Sequence, residues 1–208
     1  STLLPQIFCD TVVIGGGGAG LRAASEAARD GGEVIVLSKS EASLTNTAWA
    51  QGGVAAAIDA DDRISDHVDD TLVAGAGLCD RGAVEAILGD GPGRVQELID
   101  WGLRFDRDPD GSLRAGREGG HHAARIYHTD GDATGREFQR LLGERAAACA
   151  SLRVFGSCFA LDLITPPGDS GGPGGPCLGV ITHHPKYGLQ MIWARTTILA
   201  AGGAGQVY

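Results

Sequence analysis

Apolar and polar positions along this chain alternate between two periods. Residues 10–14 (DTVVI) form a short β-branched run, and residues 33–37 (EVIVL) form a second. Between them, residues 21–29 are good helix formers with Leu21, Ala24, Ala27 and Ala28 on one face. Gly31 and Gly32 end that helix. Near-continuous apolar strands belong in a sheet covered on both faces, so the two strands are predicted parallel and joined by a right-handed crossover.

Residues 38–60 are mostly small, around a Gln51-Gly52-Gly53 turn. Ser65 or Asp66 is placed to cap a helix running to about Ala74. Residues 81–100 read as one or two helices, interrupted near Gly91-Pro92-Gly93. Residues 105–120 read as polar loop, with Asp108-Pro109-Asp110-Gly111 a strong turn signal. Helical spacing returns over residues 135–150 through Phe138, Leu141, Leu142 and Arg145. Residues 152–156 and 160–164 read as strands, and residues 165–177 as a Gly/Pro-rich hairpin loop that continues neither. Residues 178–184 and 189–194 alternate as strands of a meander, and residues 196–200 (TTILA) read as a last buried strand. The predicted fold class is α/β: a Rossmann-like βαβ unit with a parallel sheet plus a β-meander.

Composition narrows the partners. A net charge of −9 over 208 residues lacks the basic face that nucleic acid requires, and opposes binding to an anionic membrane surface. No apolar run approaches the length of a membrane span. Cys9, Cys79, Cys149, Cys158 and Cys177 are odd in number and form no C-x-x-C. They are expected to be free thiols in a reducing compartment, each a small buried hydrophobe. Residues 1–9 carry neither a secretory signal pattern nor an Arg- and Ser-rich transit composition, so the cytoplasm is the expected location.

The chemistry begins at Gly15, Gly17 and Gly20, a G-x-G-x-x-G between a predicted strand and a predicted helix. Gly15 allows a tight turn, Gly17 lets a pyrophosphate approach the backbone, and Gly20 lets helix and strand pack closely. The positive end of the helix suits a diphosphate. Ser38 stands where the fingerprint usually ends in an acid, and Lys39 beside it could meet a phosphate. The fingerprint alone therefore says dinucleotide, without choosing among FAD, NAD and NADP.

Further segments follow in order: TAWAQGGVAA at residues 47–56, HVDDTLVAGAGLCD at 67–80, REGGHHAARIYH at 117–128, GDATGRE at 131–137 and AAGGAGQVY at 200–208. With VVIGGGGAG and VIVLSK before them, they resemble the fumarate reductase/succinate dehydrogenase flavoprotein family, and within it the L-aspartate oxidases. Succinate dehydrogenase-type members carry a flavin-bonded histidine five residues before the Gln of AQGG; here that position is Asn46. The resemblance therefore implies non-covalent FAD. It also implies oxidation of L-aspartate to iminosuccinate with dioxygen or fumarate as acceptor, feeding quinolinate and NAD synthesis.

By the same resemblance, Gly15, Gly16, Gly17, Gly18, Ala19 and Gly20 hold the pyrophosphate, and Ser38 and Lys39 lie at the adenosine ribose. Asn46, Thr47, Ala48, Trp49, Ala50, Gln51, Gly52 and Gly53 wrap the isoalloxazine; Trp49 could stack on it or sit in the core. Ala160 offers backbone near the adenine, and Ala201 and Gly202 end the last strand beside the cofactor. Glu118 faces the substrate ammonium, which separates aspartate from succinate. This chain has His122 where the oxidases usually have Ser, and four successive glycines in the first turn. The family continues beyond GGAGQVY, completing the FAD domain and a capping domain that carry the arginine and histidines for the dicarboxylate. Residues 1–208 are thus expected to be the N-terminal part of an FAD-binding domain, binding FAD weakly and turning over aspartate poorly. Another member of the family, such as a fumarate reductase or a 3-ketosteroid-type dehydrogenase, or a non-catalytic FAD-binding module, are the alternatives.

Other constellations are read as structural. GDSGGP at residues 168–173 matches the nucleophile string of chymotrypsin-like proteases, with Ser170 as attacker, but no partner histidine segment occurs. His121, His122 and His128 with Asp130 and Asp132 fit no standard zinc spacing, so no metal is expected. Asp59, Asp61 and Asp62 read as a solvated loop, and Arg114, Arg117 and Arg125 as surface charge with at most a secondary role.

Overall fold

The computed structural model describes residues 4–41, 44–167 and 174–203; the GDSGGP string with Ser170 lies outside them. In chain order the elements are β1 (Gln6–Ile14), α1 (Gly18–Ala27), β2 (Val34–Leu37), α2 (Asn46–Trp49), β3 (Val54–Ala55), α3 (Ile64–Ala74) and α4 (Arg81–Asp100). There follow β4 (Ala115–Gly116), β5 (Ile126–Tyr127), α5 (Thr134–Ala148), β6 (Leu152–Phe155), β7 (Phe159–Ile164), β8 (Gly179–His184) and β9 (Gly188–Leu199). The chain forms two compact units: residues up to Trp49 with those from Phe138 onward, and Ala50–Glu137.

The first unit holds a six-stranded sheet in the order β6-β2-β1-β9-β8-β7. β6, β2, β1 and β9 run parallel, while β9, β8 and β7 form the antiparallel meander. All four residues of β2 are buried, as its unbroken apolar run requires. One core cluster joins Val12, Ile35, Leu37, Cys158, Val180 and Ile192. α1 supplies buried Gly20, Leu21 and Ala24, and Leu141, Leu142 and Ala146 of α5 are buried as well. The hairpin predicted around residues 165–177 closes where the Leu178 amide donates to the Ile164 carbonyl at 2.8 Å.

The meander corrects one expectation. Residues 189–194 and 196–200 are not two strands: β9 runs unbroken for 12 residues. It pairs with β1 from Met191 to Leu199 and with β8 over its first half. Its last part is not buried either, since Leu199 is 66% exposed. Arg195 alone separates the two predicted strands, and parallel pairing of β9 with β1 carries the backbone straight through it.

The second unit has a small sheet in the order β3-β5-β4, entirely antiparallel, with α3 packed on α4. β5 is buried at both positions, and the Tyr127 and Phe105 rings lie 5.9 Å apart. Here one helix cap differs from expectation, and of the one or two helices expected over residues 81–100 the structure shows one, without the interruption. Arg63 is the N-cap of α3 and makes no side-chain cap bond, so neither Ser65 nor Asp66 caps; both sit within the first turn. α4 is a single helix of 20 residues with Pro92 inside it. Asp80 caps it by accepting from the Ala83 amide at 2.8 Å, and Arg81 pairs with Glu85 at 3.1 Å. A proline removes only one ladder donor, and the flanking Gly89, Gly91 and Gly93 leave open space beside it. Residues 105–120, expected as loop, contain β4, while the expected turn forms: the Gly111 amide donates to the Asp108 carbonyl at 2.9 Å.

Among the described residues, no helix is long and apolar enough to cross a membrane. The five cysteines are free, but only Cys158 is buried; the others are half-buried, correcting the expectation of five buried hydrophobes. Burial still pushes the Cys9 thiol up to about 11.

Candidate functional site

In the first unit, β1 lies between β2 on one side and β9 on the other, all parallel. Such a position is a topological switch point, where ligands meet the carboxyl ends of the strands. Gly15 leaves β1 there, and its amide donates to the Leu37 carbonyl at 2.8 Å. Its φ of +126° is one that L side chains rarely adopt, and a Cβ would run into the Ala200 carbonyl oxygen. A Cβ on Gly20 would collide with the Gly15 carbonyl oxygen, so α1 can sit against the strand end only without one. A Cβ on Gly16 would stand 2.8 Å from that of Ser38. Gly17 is the N-cap and offers no side-chain acceptor, leaving the positive end of α1 bare of protein charge. The loop is therefore a cradle of main-chain amides, and its residues fit a dinucleotide diphosphate. A groove of about 600 Å³ against Cys9, Trp193 and Arg195 lies toward the amino-terminal half of β1, away from these strand ends.

Two residues in this cradle escaped the sequence reading or were given a different part. The Gly18 amide donates to Thr47 Oγ1 at 2.9 Å, so Thr47 caps α1 from a distance. Gln139 of α5 is buried; its Nε2 donates to the Gly16 carbonyl at 3.0 Å, and its Oε1 accepts from Thr45 Oγ1 at 3.0 Å. Thr45 Oγ1 in turn accepts from the Ala48 amide at 3.1 Å. Gln139 thereby ties the glycine loop to the segment carrying α2. A glutamine on an otherwise apolar helix face, between Phe138 and Leu141, is the signal that could have found it. Gln139→Leu removes both bonds at about 1 kcal/mol each and is expected to weaken dinucleotide binding by about tenfold, read by equilibrium titration.

The remaining positions of this unit are distributed as follows. Ser38 is buried and its hydroxyl donates to the Ser40 carbonyl at 2.7 Å, so it can offer a ribose only an accepting lone pair. Lys39 and Asn46 are exposed. Trp49 is 69% exposed, which removes it from the core. Ala160 is half-buried in β7, and Ala201 and Gly202 are exposed just past β9.

In the second unit, Ala50, Gln51 and Gly52 are exposed, and the Ala50 carbonyl accepts from the Gly135 amide at 3.0 Å. A Cβ on Gly53 would meet Ile126 Cγ2 at 2.5 Å and His128 Cε1 at 2.9 Å, so this glycine lies flat against β5 and its sequel. Glu118 is exposed, and its Oε1 is 2.9 Å from His128 Nε2.

Arg125 overturns the surface-charge reading: it is fully buried. Its Nε and Nη2 donate to the two carboxylate oxygens of Asp62 at 2.8 and 2.7 Å, and its Nη1 donates to Asp70 Oδ2 at 2.6 Å. Asp62 is therefore not a solvated loop acid. A fork of fixed donors matches a carboxylate in this way, which is why Arg takes such places. His122 joins the cluster through Nδ1, 2.8 Å from Asp70 Oδ1. Burial pushes the Asp70 carboxyl up, but bonds from His122 and Arg125 outweigh it and hold it well below the usual carboxylate range. The bond to Asp70 raises the His122 imidazole, while burial and the Arg125 charge lower that of buried His67. Arg114 and Arg117 are exposed, on Asp108 and the His121 carbonyl respectively. No group of three or more His, Cys, Asp or Glu placed to hold a metal occurs among the described residues.

The family model described as FAD binding domain matches residues 10–208. An L-aspartate oxidase of Streptomyces coelicolor is 44% identical over 97% of this chain and 34% of its own length. A chloroplastic L-aspartate oxidase of Arabidopsis thaliana is 43% identical over 97% of this chain and 30% of its own. The Sdh1 complex of Mycobacterium smegmatis superimposes with a TM-score of 0.89 at 32% identity, over 99% of this chain and 36% of that one. This chain spans about a third of the length of the curated relatives it matches. The chain therefore belongs to the FAD binding domain family of flavoproteins, with FAD as its cofactor.

Proposed function

We propose that this chain is the nucleotide-binding part of an L-aspartate oxidase, converting L-aspartate to iminosuccinate at a non-covalently held FAD. The observation that carries the reading is the 44% identity to a protein of that name across 97% of the chain. FAD, when bound, would supply the two-electron oxidation of the substrate, with dioxygen or fumarate as the proposed final acceptor. The chain's own residues bind and orient. The Gly15–Gly20 loop and the N terminus of α1 receive the diphosphate, and Thr47 and Gln139 hold that loop in place. Ser38 and Lys39 lie at the adenosine ribose, Ala160 near the adenine, and Ala201 and Gly202 beside the cofactor. Asn46, at the position of the histidine that other family members bond to flavin, has no ring nitrogen to do so; acid precipitation should release the flavin intact. Residues 46–53 are mostly exposed, as a surface meant to receive an isoalloxazine would be. Glu118 offers a carboxylate to the substrate ammonium, which succinate lacks.

The test is anaerobic reduction of the full-length, FAD-loaded protein. Aspartate is expected to bleach the flavin absorbance and succinate to leave it, with Glu118→Gln narrowing the difference. Bleaching by succinate and not aspartate would move the protein to dicarboxylate oxidation, the second reading favoured by the similarity in fold to the Sdh1 complex. Bleaching by neither would overturn both.

A further inference from the structure

We infer that His128 is a positioning residue for substrate recognition, holding Glu118 in the orientation in which its free oxygen meets the ammonium of an amino dicarboxylate. This rests on the reading of Glu118 given above. Glu118 belongs to the loop that leaves β4, is well exposed, and has three side-chain torsions to order; alone it would be a mobile, solvated acid with little power to discriminate. The structure supplies the missing restraint. Ile126 and Tyr127 of β5 are buried and paired on both edges, so the residue that follows them leaves a rigid element. His128 Nε2 lies 2.9 Å from Glu118 Oε1, with the ring mostly covered and the carboxylate about half exposed.

The ring itself has little freedom. Its Cε1 would stand 2.9 Å from a Cβ on Gly53 and 3.6 Å from one on Gly116. The edge of the imidazole is therefore seated over the bare α-carbon of Gly53, in a space that only glycine leaves there, and reaches ordinary contact distance of Gly116. Gly53 ends the AQGG segment proposed to wrap the flavin, and Gly116 is the partner of Ile126 in the β4–β5 ladder. Nε2 donates to Oε1, leaving Oε2 for the substrate. An ionised acceptor makes this bond stronger than a neutral one and fixes its direction. No bond is made or broken by His128. It acts through Glu118, by tying that carboxylate to the same glycine turn as the cofactor segment.

The experiment uses the full-length, FAD-loaded protein and two ligands that are bound without being oxidised under anaerobic conditions. 2-Methylaspartate keeps the ammonium and lacks the Cα hydrogen; succinate lacks the ammonium. Their dissociation constants are read from the perturbation of the flavin absorption band. His128→Leu is expected to weaken 2-methylaspartate by about tenfold, the effect of losing one charge-assisted hydrogen bond, and to leave succinate within about twofold. His128→Gln, which keeps a donor near Nε2, is expected to restore most of the loss; it also serves if the leucine variant fails to fold. Equal weakening of both ligands would show a general structural role and overturn the inference, as would no weakening at all. Glu118→Gln separates the two levels. If it collapses the preference for 2-methylaspartate while His128→Leu does not, only the role of His128 falls. If it leaves the preference intact, the reading of Glu118 falls with it.

Discussion

Arg125→Ala is expected to destabilise the 50–137 unit by about 3–5 kcal/mol, the cost of stripping one partner from a buried ion pair. The guanidinium is fully buried, and it satisfies both oxygens of Asp62 and one of Asp70. Its loss leaves two carboxylates short of their charge partner, beside a half-buried His121 and a buried His67. Arg125→Met with Asp62→Leu in the same chain is expected to recover most of the loss, because removing both partners of a buried pair is far less costly than removing one. Denaturant unfolding followed by Trp101 fluorescence checks both variants; equal stability of Arg125→Ala and the parent would refute the argument. The pH dependence carries a definite sign. For Asp62, burial raises the carboxyl, and the hydrogen bonds and charge of Arg125 outweigh it, so the folded value lies below the unfolded one; Asp70 behaves alike. Their contribution is present above about pH 4, and is lost as pH falls through the folded values. Neutral His67 acts in the same direction at higher pH. Its folded value lies below the unfolded one, so its contribution is present above about pH 6.5 and fades below it. Arg125→Ala should flatten the acid limb.

Gly15→Val is expected to abolish measurable FAD binding, a loss of at least about 100-fold. Here two costs add. The backbone at φ +126° is closed to a β-branched residue, and the added Cβ would occupy the space of the Ala200 carbonyl oxygen. Relief requires the loop to move off the end of β9, which displaces the amides that would meet the diphosphate. Gly20→Val would act through a different displacement, pushing α1 off the Gly15 carbonyl. Gly143→Ala in α5 is the matched control, since nothing stands within 4 Å of its added Cβ; it should leave FAD affinity unchanged. Fluorescence titration of the apoprotein with FAD reads all three, and retained affinity in Gly15→Val would refute the cradle as the diphosphate site.

The βαβ opening was legible because each signal there is local. Apolar runs at residues 10–14 and 33–37, helix formers between them, and glycines at fixed offsets all agree, and the structure keeps them. The meander was half legible: β8 and β9 alternate, but where β9 ends is decided by its pairing with β1, which no local window contains. α4 shows the converse failure, with a proline that reads as a stop overridden by a capped, paired helix packed on α3. The Arg125 cluster was invisible for a different reason. An arginine in HHAARI looks like any solvated cation, and its partners Asp62 and Asp70 lie 63 and 55 residues away. Only the fold brings them together, so composition says surface where packing says core. Gln139 and His128 share this character: their roles come from what lies opposite them, not from their neighbours in the chain.

The long strand β9 also has a consequence for synthesis. Cys9 of β1 and Trp193 of β9 are 184 residues apart in the chain, yet their strands are paired from Gln6 to Ile14 of β1. At a ribosomal pace of about 5–20 residues per second, β1 waits roughly 10–40 s for its partner. During that interval the apolar flank of a nascent sheet is open to any passing strand. A holdase that occupies this flank should raise the yield of folded protein, and dinucleotide can be gripped only once the late-arriving strand has closed the gap.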